Sequence, residues 1–126
     1  YAVPGIIIAD KAVINSGAMI SARAFTAAEQ TMFATQSLFT YDSTKAQVFV
    51  HVDGTQGAVS ITGTSDAPIA WDGTQWAAGN TGVNVFFPNV MSASGTTTIS
   101  IAGTALGTGS YPIAPGTITY ATLVVQ

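Results

Sequence analysis

The run Ala46-Gln47-Val48-Phe49-Val50-His51-Val52 alternates with a period of two. It places Val48, Val50 and Val52 on one face and Gln47, Phe49 and His51 on the other. Successive side chains leave a pleated backbone on opposite sides, so this pattern predicts a strand. Asp53-Gly54 follows at once, and because both positions accept positive φ it predicts a hairpin with residues 57–62 as the returning strand. The tetrapeptide Asp53-Gly54-Thr55-Gln56 recurs as Asp72-Gly73-Thr74-Gln75. Its second copy predicts another hairpin, between residues 69–71 and 75–77. Further candidate strands cover 82–87, 96–102 and the β-branched stretch 117–125, with earlier ones at 5–9, 12–15 and 18–24. Many short strands separated by regular turn signals predict an all-β fold, an antiparallel β-sandwich of Ig-like or jelly-roll-like type. One segment departs from this. Thr26-Ala27-Ala28-Glu29 has the spacing of a capping box, in which hydroxyl and carboxylate each satisfy an orphan amide, and it predicts one short helix around residues 27–38.

Composition narrows the function. At 126 residues the chain is long enough for one domain with a sizeable core. Hydrophobic residues make up 48% and charged residues 7%, the reverse of a disordered composition. Lys11, Arg23 and Lys45 are its only cations in a net charge of −3, too few to neutralise a phosphate backbone or to seek an anionic membrane surface. Nucleic acid is thus excluded as the expected partner. No apolar run reaches the length of a membrane span, so none is expected. Without cysteine there is neither a disulfide framework nor thiolate chemistry. Tyr1 is too large to follow a removed initiator Met, so a processed start and an extracellular, cell-surface or virion-surface location are expected.

Catalytic chemistry finds little to build on. His51 is the sole histidine, with Asp53 two residues away, and no Gly-x-Ser-x-Gly elbow supplies a nucleophile. One histidine and no cysteine cannot make an ordinary zinc site. Asp53, Asp66 and Asp72 are loop carboxylates that would serve calcium only if they converged. The expectation is a non-enzymatic chain without cofactor or metal. Trp71 and Trp76 flank the Asp72 turn, where they would either centre a core or offer flat platforms to a glycan.

All nine charged residues lie in the first 72, and none falls between residues 73 and 126. That half must show hydroxyls and amides to water or be covered by another subunit. Edge strands are normally guarded by charge, proline or bulges, and the stretch 117–125 has none of these. Leu123, Val124 and Val125 are therefore expected to form an accepting edge. Residues 1–9 carry a Pro4-Gly5 hinge and the ridge Ile6, Ile7 and Ile8, and are expected to be an extension that donates a strand to the next copy, with 10–126 as the single β-sandwich domain. The expected function is a self-assembling subunit of a pilus-like surface filament, its partners copies of itself. Ala70-Trp71-Asp72-Gly73-Thr74 is similar to a turn in lambda-like phage head decoration proteins. This resemblance spans five residues and implies a virion coat or decoration protein as the alternative. A secreted carbohydrate-binding module using Trp71 and Trp76 is a third expectation.

Overall fold

The computed structural model describes residues 2–8 and 10–126; Tyr1 and Ala9, both within the expected extension, lie outside the described residues. In chain order the elements are β1 (Ala2–Val3), β2 (Gly5–Ile7), α1 (Lys11–Asn15), β3 (Phe25–Thr26), α2 (Ala27–Thr35), β4 (Ala46–Gly54) and β5 (Val59–Ile61). There follow β6 (Ile69–Trp71), β7 (Trp76–Ala78), β8 (Asn84–Val90), β9 (Thr96–Ile101), β10 (Ala105–Leu106), β11 (Gly109–Pro112) and β12 (Ile118–Val125). The protein is all-β, with two short helices among the described residues.

Strand β4 organises the core because both of its faces are covered. Val48, Val50 and Val52 join Val85 and Phe87 of β8, Ala121 and Leu123 of β12, and Val59, Ile99, Ile101 and Tyr111 of the smaller sheet. On the opposite face Phe49 meets Phe86, Ile69, Ile118 and Tyr120 under a cover of Phe25, Phe33 and Phe39. The largest sheet has the order β10-β12-β4-β8-β6-β7, with β2 also paired to β12. A three-stranded sheet, β11-β9-β5, covers its valine face, and α2 with the aromatic segment after it covers the other.

The sheets are not purely antiparallel, as had been expected. β12 runs parallel to β4 over eight registered pairs, from Ile118↔Gln47 to Val125↔Gly54, and parallel to β2 over three. The first predicted hairpin is also absent. β5 pairs with β9 rather than with β4, whose edges are taken by β8 and β12. With both neighbours in place β4 has no room for a hairpin partner, and at Gly54 (φ 103°) the chain leaves the sheet directly against the Val125 carbonyl. The second hairpin forms as expected, β6 and β7 pairing with Trp71 opposite Trp76. Asp72 closes it by accepting from the Thr74 N–H and hydroxyl and from the Gln75 N–H.

The helix expected at 27–38 is α2, and its capping box is complete: the Glu29 N–H donates to Thr26 Oγ1 at 3.2 Å and the Thr26 N–H donates to Glu29 Oε2 at 3.0 Å. Residues 12–15, expected as a strand, lie instead in α1. The Asp10 carboxylate accepts from the Ala12 N–H there and Val13 is buried, so the local cap prevails over the apolar run. Residues 18–24, also expected as a strand, are irregular.

A buried polar hub fixes three connections. Where the β4–β8 register shifts, Asn89 adopts φ 55° and Gln47 turns inward with no exposed surface. The Asn89 N–H donates to Gln47 Oε1 at 2.9 Å, while Asn89 Oδ1 accepts from Gln47 Nε2 and the Asp42 N–H. Asn89 Nδ2 donates to the Thr40 carbonyl and to Asp66 Oδ2. Every hydrogen-bonding position of this amide is used, as burial demands.

Candidate functional site

Residues 2–8, expected as a free extension, pair within their own chain. β1 lies against β3, and β2 lies against Ile118–Tyr120 of β12. Leu123, Val124 and Val125 are not a free edge in the single chain. β4 occupies one side of them, Leu106 and Ala105 of β10 pair with Val124 and Val125 on the other, and Leu123 is fully buried. The edge misjudged from sequence is an interior strand, which explains why it carries no charge, proline or glycine.

The apolar ridge is nevertheless at the surface. Ile7 is 55% exposed and Ile8 41%, with Ile6 half-buried. Among the described residues the other large apolar side chains left exposed are Ile14, Met19, Ile20 and Met91, so all but Met91 fall between residues 7 and 20. Elsewhere the uncharged second half presents hydroxyls. Ser100 shares a hydrogen bond with Ser60 across the β5–β9 pair, and Thr98 and Ser110 are exposed beside it.

A second surface collects the polar and aromatic residues singled out earlier. His51, Asn84, Trp71 and Trp76 are successive cross-strand partners, forming one row across β4, β8, β6 and β7 on the face where α2 packs. Side chains so paired stand about 5 Å apart at Cβ. The row lies just beyond the covered aromatic core and is half-buried throughout. Trp76 packs edge-on against Phe33, centroids 5.5 Å apart, and Trp71 sits 5.8 Å from Trp76. His51 Nδ1 lies 2.9 Å from Asn84 Oδ1 and does not pair with Asp53. Above the row, the Arg23 guanidinium is 5.3 Å from the Phe49 ring centre and 5.8 Å from that of Trp76, and it pairs with Glu29 Oε1 at 2.7 Å. Glu29 thus caps α2 with one oxygen and holds Arg23 over the aromatic rings with the other. Met19, Ile20, Ser21 and Ala22 wall a cleft of about 340 Å³ whose floor is Phe49, His51 and Asn84.

Burial raises the Tyr120 and Tyr111 hydroxyls above their usual range. Asp72 is held below the ordinary 3.8 by the Gln75 N–H first and then by Thr74, and Asp42 is lowered by the Thr44 hydroxyl and N–H. Asp53, Asp66 and Asp72 do not converge, and among the described residues no three acidic or histidine side chains come together to hold a metal. No helix among the described residues is long and apolar enough to cross a membrane. Set against protein-family models, curated proteins and solved structures, the chain matches none of them.

Proposed function

We propose that this chain is a structural subunit that assembles with copies of itself at a cell or virion surface, and that residues 1–20 make the contact. The observation that carries this reading is the concentration of exposed large apolar side chains in that stretch: Ile7, Ile8, Ile14, Met19 and Ile20, with Met91 the one other among the described residues. Burying one aliphatic side chain fully contributes about 1.5–3 kcal/mol, so covering several half-exposed ones contributes enough to hold a contact repeated along an assembly. Strand donation follows from the same geometry. β2 makes only three registered pairs with β12. A neighbour's β2 can make the identical pairs with Ile118–Tyr120, so exchange exchanges like for like and needs no new surface. The accepting residues in this scheme are those three rather than Leu123, Val124 and Val125. A sandwich of Ig-like or jelly-roll-like kind is the fold reading that accompanies it, supported by two sheets facing each other across the valine core. The role is structural and non-enzymatic, and a closed shell or decoration layer would use the same contact as a filament.

The test is the solution mass of the purified chain, by light scattering and negative-stain microscopy, for the full sequence, for a chain lacking residues 1–9, and for Ile7→Asp. Assembly of the full chain alone supports the reading, and filaments or shells distinguish its two forms. Since Ile7 is exposed, its substitution leaves the fold intact by circular dichroism. A full chain that stays a 12.8 kDa monomer at high concentration overturns the reading.

A further inference from the structure

We infer that the cleft floored by Phe49, His51 and Asn84, with Trp71 next to Asn84 in the same cross-strand row, is a binding site for a neutral saccharide. This inference does not rest on assembly, although Met19 and Ile20 wall the cleft and also belong to the proposed contact. Its basis is the alternation of donors and acceptors along the row beside a flat apolar wall. With Asn84 Oδ1 accepting, His51 carries its proton on Nδ1 and turns Nε2 outward as an acceptor. Asn84 Nδ2 is then a donor, and among the described residues neither Asn84 Nδ2 nor His51 Nε2 has a hydrogen-bond partner. An acceptor next to a donor at cross-strand spacing matches vicinal hydroxyls, each of which both gives and takes a hydrogen bond. Trp76 is covered by Arg23 and Phe33, so the half-buried Trp71 ring, next to Asn84 in the row, supplies the surface on which the C–H face of a pyranose packs.

Charge selects the neutral class. Arg23 is the only cation of the cleft, and Glu29 already compensates it at 2.7 Å. An anion would meet a compensated guanidinium, the lone pair of His51 Nε2 and a chain of net charge −3. A diol meets no such penalty. The Arg23–Glu29 pair is anchored to the α2 capping box and to the Phe49 and Trp76 rings, so it is held in place before a ligand arrives, which reduces the ordering cost of binding.

Both tryptophans of the chain lie in this cross-strand row, so intrinsic emission reports on it, read at a concentration where light scattering finds a monomer because Met19 and Ile20 are shared with the proposed contact. The full chain is titrated with maltotriose, cellotriose, lactose and sialyllactose, with sedimentation on insoluble starch and cellulose as the polymer arm. The expected result is a saturable change in tryptophan emission with at least one neutral sugar, or retention on one polymer, weakened at least tenfold, about 1.4 kcal/mol, in His51→Ala and in Asn84→Ala. Free trisaccharide binding indicates a short ligand, and polymer-only retention a longer chain lying along the row. Should either variant misfold, Arg23→Gln replaces it, because that side chain is about half exposed. Absence of any saturable response up to about 50 mM and of polymer retention overturns the inference. So does binding that both variants leave unchanged, and a preference for sialyllactose over lactose overturns the neutral assignment.

Discussion

Asn89→Ala removes the side chain on which three connections converge. Four hydrogen bonds are lost, those with the Asp42 N–H, Gln47 Nε2, the Thr40 carbonyl and Asp66 Oδ2. At about 1 kcal/mol each, with Gln47 Nε2 left unpartnered in a fully buried position while Gln47 Oε1 keeps the residue 89 N–H, this amounts to about 4 kcal/mol. Asn89 also sits at φ 55°, where alanine costs about 1 kcal/mol more than asparagine. The total of about 5 kcal/mol is a large share of the 5–15 kcal/mol that holds a domain together. With an unfolding entropy near 2.1 cal/mol/K per residue, a chain of this length loses about 4 °C per kcal/mol, so its melting temperature falls by about 20 °C. Urea denaturation followed by circular dichroism measures the loss, with an unchanged slope confirming that stability and not compactness moved. Asn89→Gly loses the same bonds but tolerates the backbone angle, and should be about 1 kcal/mol less damaging than Asn89→Ala. A loss below about 1.5 kcal/mol for Asn89→Ala would refute the hub as a stabilising unit.

Two other perturbations test separate parts of the fold. Gly54 and Gly73 have nearly the same φ, 103° and 108°, yet a Cβ at Gly54 collides with the Val125 carbonyl oxygen and one at Gly73 meets nothing. Gly73→Ala should cost about 1 kcal/mol and Gly54→Ala at least about 2 kcal/mol more, as read by thermal unfolding; equal costs would dissociate Gly54 from β12 packing. The lowered Asp72 and Asp42 carboxylates predict an acid limb to stability. Because folding depresses both, their contribution is complete above the unfolded value near 3.8 and is lost as pH falls through the lower folded values. Asp72→Asn should flatten the slope of stability against pH below 4, and an unchanged slope would show that the turn's hydrogen bonds do not favour the ionised form.

Local chemistry was legible where its partners are local. The Thr26–Glu29 capping box and the Asp72 turn are closed by residues within three positions, so sequence alone located α2 and the β6–β7 hairpin. The same Asp-Gly-Thr-Gln tetrapeptide at 53–56 misled, because there the outcome depends on β8 and β12 occupying both edges of β4, which no local signal records. Continuous apolar runs carried a similar ambiguity: residues 117–125 match an edge and a central strand equally well. The inward-facing Gln47 was visible only as a polar residue on an alternating strand, and its partner Asn89 lies 42 positions away. At the candidate cleft, sequence had singled out His51, Trp71 and Trp76, but only strand register sets them in one row and brings Asn84 between them.

The parallel seam between β4 and β12 bears on how this protein reaches its native state. Its paired residues are about 70 positions apart, so the middle of the largest sheet closes only by a long-range event, and chains dominated by such contacts fold in milliseconds to seconds. Until β12 arrives, Val48, Val50 and Val52 present an unpaired, uncharged strand edge to other unfinished copies. Crowded synthesis therefore sets a race between closure and mispairing, which slow expression and low temperature should favour closure to win.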